Sequence, residues 1–174
     1  MFRSSILPAL ALCAAGLVAP SLASAQVKIA VIDFQRALMQ TAEIKKASAD
    51  MQTKYKPRQD ALDKVQRELN DIQTQLQASQ GKLSAAGELD LQTRAKRKQL
   101  ESQRLSEDLQ ADVDRERNDI LQRAGLRMTE IAKKLAEEKG LDMVVDRSNT
   151  VYFKTTLEIT DDAITAYDKA HPVK

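Results

Sequence analysis

Five apolar residues at alternating spacings of three and four, Leu62, Val65, Leu69, Ile72 and Leu76, fix what most of this chain can become. An average of about 3.5 residues keeps one stripe of a slightly underwound helix against a partner, as in the seam of a coiled coil. The phase runs back to Tyr55 and on to Leu83. A second set, Leu121, Ala124, Met128, Ile131 and Leu135, restores the alternation further along. Between the two sets, residues 79–87 read Ser-Gln-Gly-Lys-Leu-Ser-Ala-Ala-Gly, and glycines among small residues suit a helix reversal. The pattern predicts a long antiparallel hairpin over residues 42–139.

Its ends carry stop signals. Thr41 is placed to cap the first arm, with Glu43 in the first turn facing the positive end of the helix dipole. Lys139 and Gly140 close the second arm, the glycine being able to take a left-handed conformation. At about 1.5 Å per residue the arms reach roughly 55 and 75 Å, so they must project from any compact body. Composition agrees: 30% of residues are charged, there is no Trp, and Phe and Tyr number three each, which suits exposed helices better than a large core.

The flanking segments change character. Residues 28–33 read Lys-Ile-Ala-Val-Ile-Asp, a short strand ending on Asp33, which can cap a following turn of helix. After Gly140 come Leu-Asp-Met-Val-Val-Asp at 141–146, a turn at 147–149 and Val-Tyr-Phe-Lys at 151–154, which predict two further short strands. Thr160, followed by Asp161 and Asp162, is placed to cap a last helix with Ala163, Ile164 and Tyr167 on its apolar face. The expected fold is α+β and predominantly helical, the hairpin projecting from a small β-rich body of residues 26–41 and 140–174. Three short strands bury little and leave open edges, so the body is expected to pool strands with other copies through Ile29, Val31, Leu141, Val144, Val145, Val151 and Phe153.

Residues 1–25 predict an export signal, with Arg3 in the positive region, an apolar stretch from Ile6 to Val18, and Ala-Ser-Ala before cleavage after Ala25. Cys13, the only cysteine, sits inside the apolar stretch behind Leu12, which disfavours lipid attachment and leaves no thiol in the mature chain.

Pro57 interrupts the first arm, where it removes a hydrogen bond and crowds the preceding turn. With the tip near Leu83 it would face Leu109, where the second seam drifts, so a flexible waist or a gentle static bend is expected at mid-height. Near the tip, Lys82, Arg94, Lys96, Arg97 and Lys98 offer either an ordinary solvated face or a contact for acidic clients or anionic envelope lipid.

Reactive constellations are lacking. His171 is the only histidine and reads as a solvated tail residue; the glycines build neither a dinucleotide fingerprint nor a phosphate loop. Carboxylates such as Glu68, Asp71, Asp112, Asp114 and Glu116 alternate with Lys and Arg, as on solvated faces. No catalytic residue, cofactor or metal site is expected, and a net charge of +2 together with export argues against nucleic acid.

The order and spacing of 28–33 leading into Gln35 and Arg36, the charged hairpin, Gly140 to Asp146, Val151-Tyr-Phe153 and Leu157 to Asp162 resemble the Skp (OmpH-like) periplasmic chaperones over the whole mature length. The resemblance implies a homotrimer with three helical arms around a cavity, an ATP-independent holdase for unfolded outer-membrane β-barrel proteins in the periplasm. It transfers no reaction centre. The competing reading is a structural or adaptor protein using the hairpin as a spacer, although the short flanks carry less than such adaptors need.

Overall fold

A computed structural model describes residues 27–79 and 81–173. The order of elements is β1 (Ile29–Ile32), α1 (Phe34–Gln40), α2 (Ala42–Ala78), α3 (Ala85–Lys139), β2 (Met143–Asp146) and α4 (Thr160–Ala170). The expected leader, with Cys13 and the cleavage after Ala25, lies outside the described residues.

The hairpin is formed by α2 and α3, of 37 and 55 residues, or about 55 and 80 Å at the helical rise. Local chemistry sets their ends. The Thr41 hydroxyl accepts from the Ile44 N–H at 3.3 Å and donates to the Leu38 carbonyl at 2.9 Å, closing α1 and opening α2 with one side chain. Ser84 caps α3 by accepting from the Gly87 N–H at 3.2 Å, so this helix starts at Ala85, inside the segment 79–87 expected to form the reversal. At the far end Gly140 adopts φ 60°, and the Leu141 N–H reaches back to the Ala136 carbonyl at 2.8 Å. That left-handed residue is what lets the chain leave the helix and enter β2.

In the arm, Leu62, Val65 and Ile72 of α2 are buried and Leu69 and Leu76 half-buried, as the seam requires. The matching stretch of α3 contributes one buried residue, Leu109. The lower α3 seam behaves differently. Ala124, Met128, Ile131 and Leu135 join Ala30, Ile32, Ala37, Ile44, Ile159, Ala163 and Tyr167 in a single core, so this stretch serves the base as well as the hairpin.

The sheet has two parallel strands, with Ile29 opposite Met143 and Ile32 opposite Asp146. Parallel neighbours need a crossover, and here the whole hairpin is that crossover. On the other edge of β1, a parallel bridge joins Val31 to Glu158, with the Ile159 N–H donating to the Val31 carbonyl at 2.9 Å.

Three expectations require correction. Residues 151–154 form no strand; two 3₁₀ turns, Arg147–Asn149 and Thr155–Leu157, flank them, Val151 is fully exposed and Tyr152 is 80% exposed. Both edges of β1 are already occupied by β2 and by Glu158, so β-forming side chains at 151–153 find no β1 edge within their own chain. Thr160 is the first residue of α4 and not its cap, because its hydroxyl accepts from the Asp33 N–H at 2.9 Å and donates to Glu158 at 2.9 Å. His171 is no free tail group: its ring lies 4.9 Å from that of Tyr167, tilted by 57°.

Candidate functional surfaces of the arm and its root

A hydrogen-bonded polar cluster lies where the arm meets the base. Tyr167 of α4 is fully buried and donates its hydroxyl to Glu43 Oε2 at 2.5 Å. Arg127 of α3 grips both oxygens of the same carboxylate at 2.8 and 2.9 Å. One carboxylate of α2 thus ties together the three helices of the arm root. Burial alone would push the Glu43 carboxyl up, but the donations from Tyr167 and Arg127 outweigh it and hold the group below its ordinary value. Burial first, then the bond to Glu43, pushes the Tyr167 phenol up to about 12. Asp168 adds a second tie by accepting from the Ala42 N–H at 2.9 Å, at the positive end of α2.

Sequence reasoning placed Glu43 in a first turn and Tyr167 on an apolar face but did not join them. A separation of 124 residues leaves no local signal for the pair.

At mid-height the arms are joined by charge. Lys54 and Tyr55 both donate to Glu116 at 2.6 Å, and Arg58 reaches Asp112 at 2.7 Å. Pro57 lies exposed within the unbroken α2, bracketed by these pairs, so it stands opposite residues 112–116 and one turn away from the expected Leu109. The hydrogen bonds from Lys54 and Tyr55 hold the Glu116 carboxyl below its ordinary value.

The tip cations divide into separate groups. Arg94, Arg97 and Lys98 share one face of α3 and line a shallow groove with Glu68, Asp71, Ile72 and Gln75 of α2. Lys98 is drawn to Glu68 at 2.8 Å and Glu101 at 2.9 Å, and the bond to Glu68 raises its pKa. Arg94 approaches Asp90 at 3.9 Å. Lys96 points elsewhere around the helix and Lys82 lies in the tip turn, so the five do not form one patch.

In the base the two faces of the sheet differ. Ala30, Ile32 and Val144 face the helical core, with Leu141 packed beside them. The alternate residues turn the other way, Val31 buried, Val145 half-buried, Ile29 40% and Met143 53% exposed. Half-buried Phe153 and exposed Val151 lie outside the sheet. Of the residues expected to form the oligomer surface, Ile29 and Val145 therefore lie at least partly open on the face turned away from the helices, Val31 is buried on that face, and Leu141 and Val144 belong to the core within the chain.

Among the described residues no group of three or more His, Cys, Asp or Glu could hold a metal ion, and no helix is long and apolar enough to cross a membrane.

A family model described as outer membrane protein (OmpH-like) matches residues 28–167, which takes in both base and arm. A protein of Pseudomonas aeruginosa named Skp-like protein is 30% identical over 155 residues, covering 87% of this chain and 89% of its own length. A crystal structure from Caulobacter crescentus CB15, described as an outer membrane chaperone (OmpH-like), superposes with a TM-score of 0.68. At 16% identity, over 99% of this chain and 93% of that one, it shows a shared fold.

Proposed function

Since the chain belongs to the OmpH-like family, whose role is that of a chaperone, we propose that it is an ATP-independent periplasmic holdase that shelters unfolded outer-membrane proteins among the arms of a homotrimer. The observation that carries this reading is the family match, which spans the arm and the base together. The physical features support it. A client held by several long arms gains from many weak contacts at once and can leave without fuel. The open sheet face of Ile29 and Met143, with exposed Val151 and Tyr152, offers apolar surface to other copies of the chain, and the outer edge of β2 has no strand neighbour among the described residues. Pooling strands in that way would give 151–154 the partner edge it lacks within one chain.

The role assigned is non-catalytic. The tip cations Lys82, Lys96 and Arg97 would add long-range attraction for acidic client segments or anionic lipid, weakened by salt. The deciding experiment measures the solution mass of the mature protein and dilutes a urea-denatured outer-membrane β-barrel protein into it without nucleotide. A trimer that keeps the client soluble is expected. A monomer with no effect on aggregation removes the reading.

A further inference from the structure

The arm is narrow, and most of its apolar side chains are used up in seams. Leu89 and Leu100 stand exposed along the distal arm, and further apolar surface gathers at the root, where the short α1 crosses beside α2 and α3 and leaves a gap between them. Two adjoining hollows open there, one lined by Phe34, Leu38, Met39 and Leu121, the other by Met39, Met51, Ile120 and Leu121. They adjoin at Met39, Arg117 and Leu121 and together span three helices, the first hollow being lined also by Asp33, Gln35, Asp146, Arg147 and Ser148. Met39 is 43% exposed at their junction.

Arg117, on the exposed side of α3, lines both hollows. The other charged groups at this groove are committed. Arg147 reaches Asp33 at 3.3 Å, Asp33 also accepts from the Arg36 N–H at 2.8 Å, and Asp146 accepts from the Ser148 N–H at 2.7 Å. Among the described residues Arg117 enters no ion pair. A cation without a partner beside an apolar trough selects an occupant that brings both apolar side chains and a carboxylate. Two methionines suit the trough to changing shapes, since an unbranched thioether repacks at little cost.

We infer that this groove is a docking site for an extended, apolar, carboxylate-bearing segment of an unfolded client polypeptide. The inference rests on the holdase reading and gives it an address on the molecule. A second copy of the chain is the weaker fit, because self-association has its own surface on the sheet face turned away from the helices. The groove opens between the helices instead.

Two measurements test the site. In the first, a photoreactive amino acid replaces Met39 in the full chain, and a urea-denatured β-barrel protein is added by dilution. Adducts with the client are expected. In the second, two fluorescent peptides share one alternating Val and Phe core, one with Asp at both ends and the other with Lys. The unsubstituted protein should bind the Asp peptide roughly two- to fivefold more tightly, the range of a single exposed ion pair. Arg117→Glu should reverse the preference, a gain that a misfolded variant cannot imitate. Adducts only between copies of the chain, or equal binding of both peptides with no response to Arg117→Glu, overturn the site even where the client stays soluble. Loss of client protection with the peptide preference intact removes the holdase reading and leaves the groove standing.

Discussion

The root of the arm and its distal half are made from the same two helices and are held together to different degrees. At the root, α2, α3 and α4 enclose Met128, Ala163 and Tyr167 completely, and a single carboxylate links the three. From Leu109 toward the tip α3 contributes no further buried side chain among the described residues, α2 alone still burying Val65 and Ile72, and the contacts between the two include partly exposed pairs such as Glu68 with Lys98. Exposed pairs of that kind add little to stability and weaken in salt. Stiffness should therefore fall from base to tip in a graded manner, with the root fixed and the tip compliant.

The largest test of this contrast is Tyr167→Ala, which leaves a void where three helices meet and should cost about 3–5 kcal/mol in urea unfolding. A cost no greater than that of a surface change would break the contrast. Glu43→Gln comes next, with a loss of about 2 kcal/mol, because hydrogen bonds to a charged group are the stronger kind. It also carries a pH signature. The folded-state pKa of Glu43 is depressed below the usual 4.5, so its stabilisation is present above that value and is lost as pH falls through the folded value. In Glu43→Gln the acid limb of the stability curve should flatten; an unchanged limb would show that the clasp contributes nothing.

Pro57→Ala examines the boundary between the two regimes. Restoring the helical hydrogen bond recovers up to about 3 kcal/mol, offset by about 1 from the freer unfolded chain, for a net gain of about 2 kcal/mol. Hydrogen exchange around Thr53 should slow, while unchanged exchange would mean that the ion pairs at 54–58 already hold this height. The smallest effect is expected at the tip. Leu89→Ala should alter stability by less than about 0.5 kcal/mol, since Leu89 is exposed and touches no core.

Much of this organisation was legible in the sequence because it is local. The caps at Asp33, Thr41 and Gly140 depend on neighbours within a few residues, and the seam from Leu62 to Leu76 repeats a helical period. What escaped reading depends on distant partners. Nothing near Tyr167 announces Glu43, and nothing in Val-Tyr-Phe announces that β1 has no free edge. The dispersal of the tip cations was within reach, since projecting residues 94–98 onto a helix already separates Lys96 from Arg94, Arg97 and Lys98. A register set by a tip centred on Leu83 puts Pro57 opposite Leu109, one turn from the residues 112–116 that the ion pairs bring to it.

The parallel pairing of β1 with β2 has a mechanical consequence. β1 enters the arm by its C-terminal end and β2 leaves it by its N-terminal end, so the two strands are gripped at opposite ends of the ladder. A force that levers α2 away from α3 drags the strands past one another. Under such shear the inter-strand hydrogen bonds carry the load together, whereas peeling would break them singly. The anchorage of the arm is thus arranged to resist separation of its two helices.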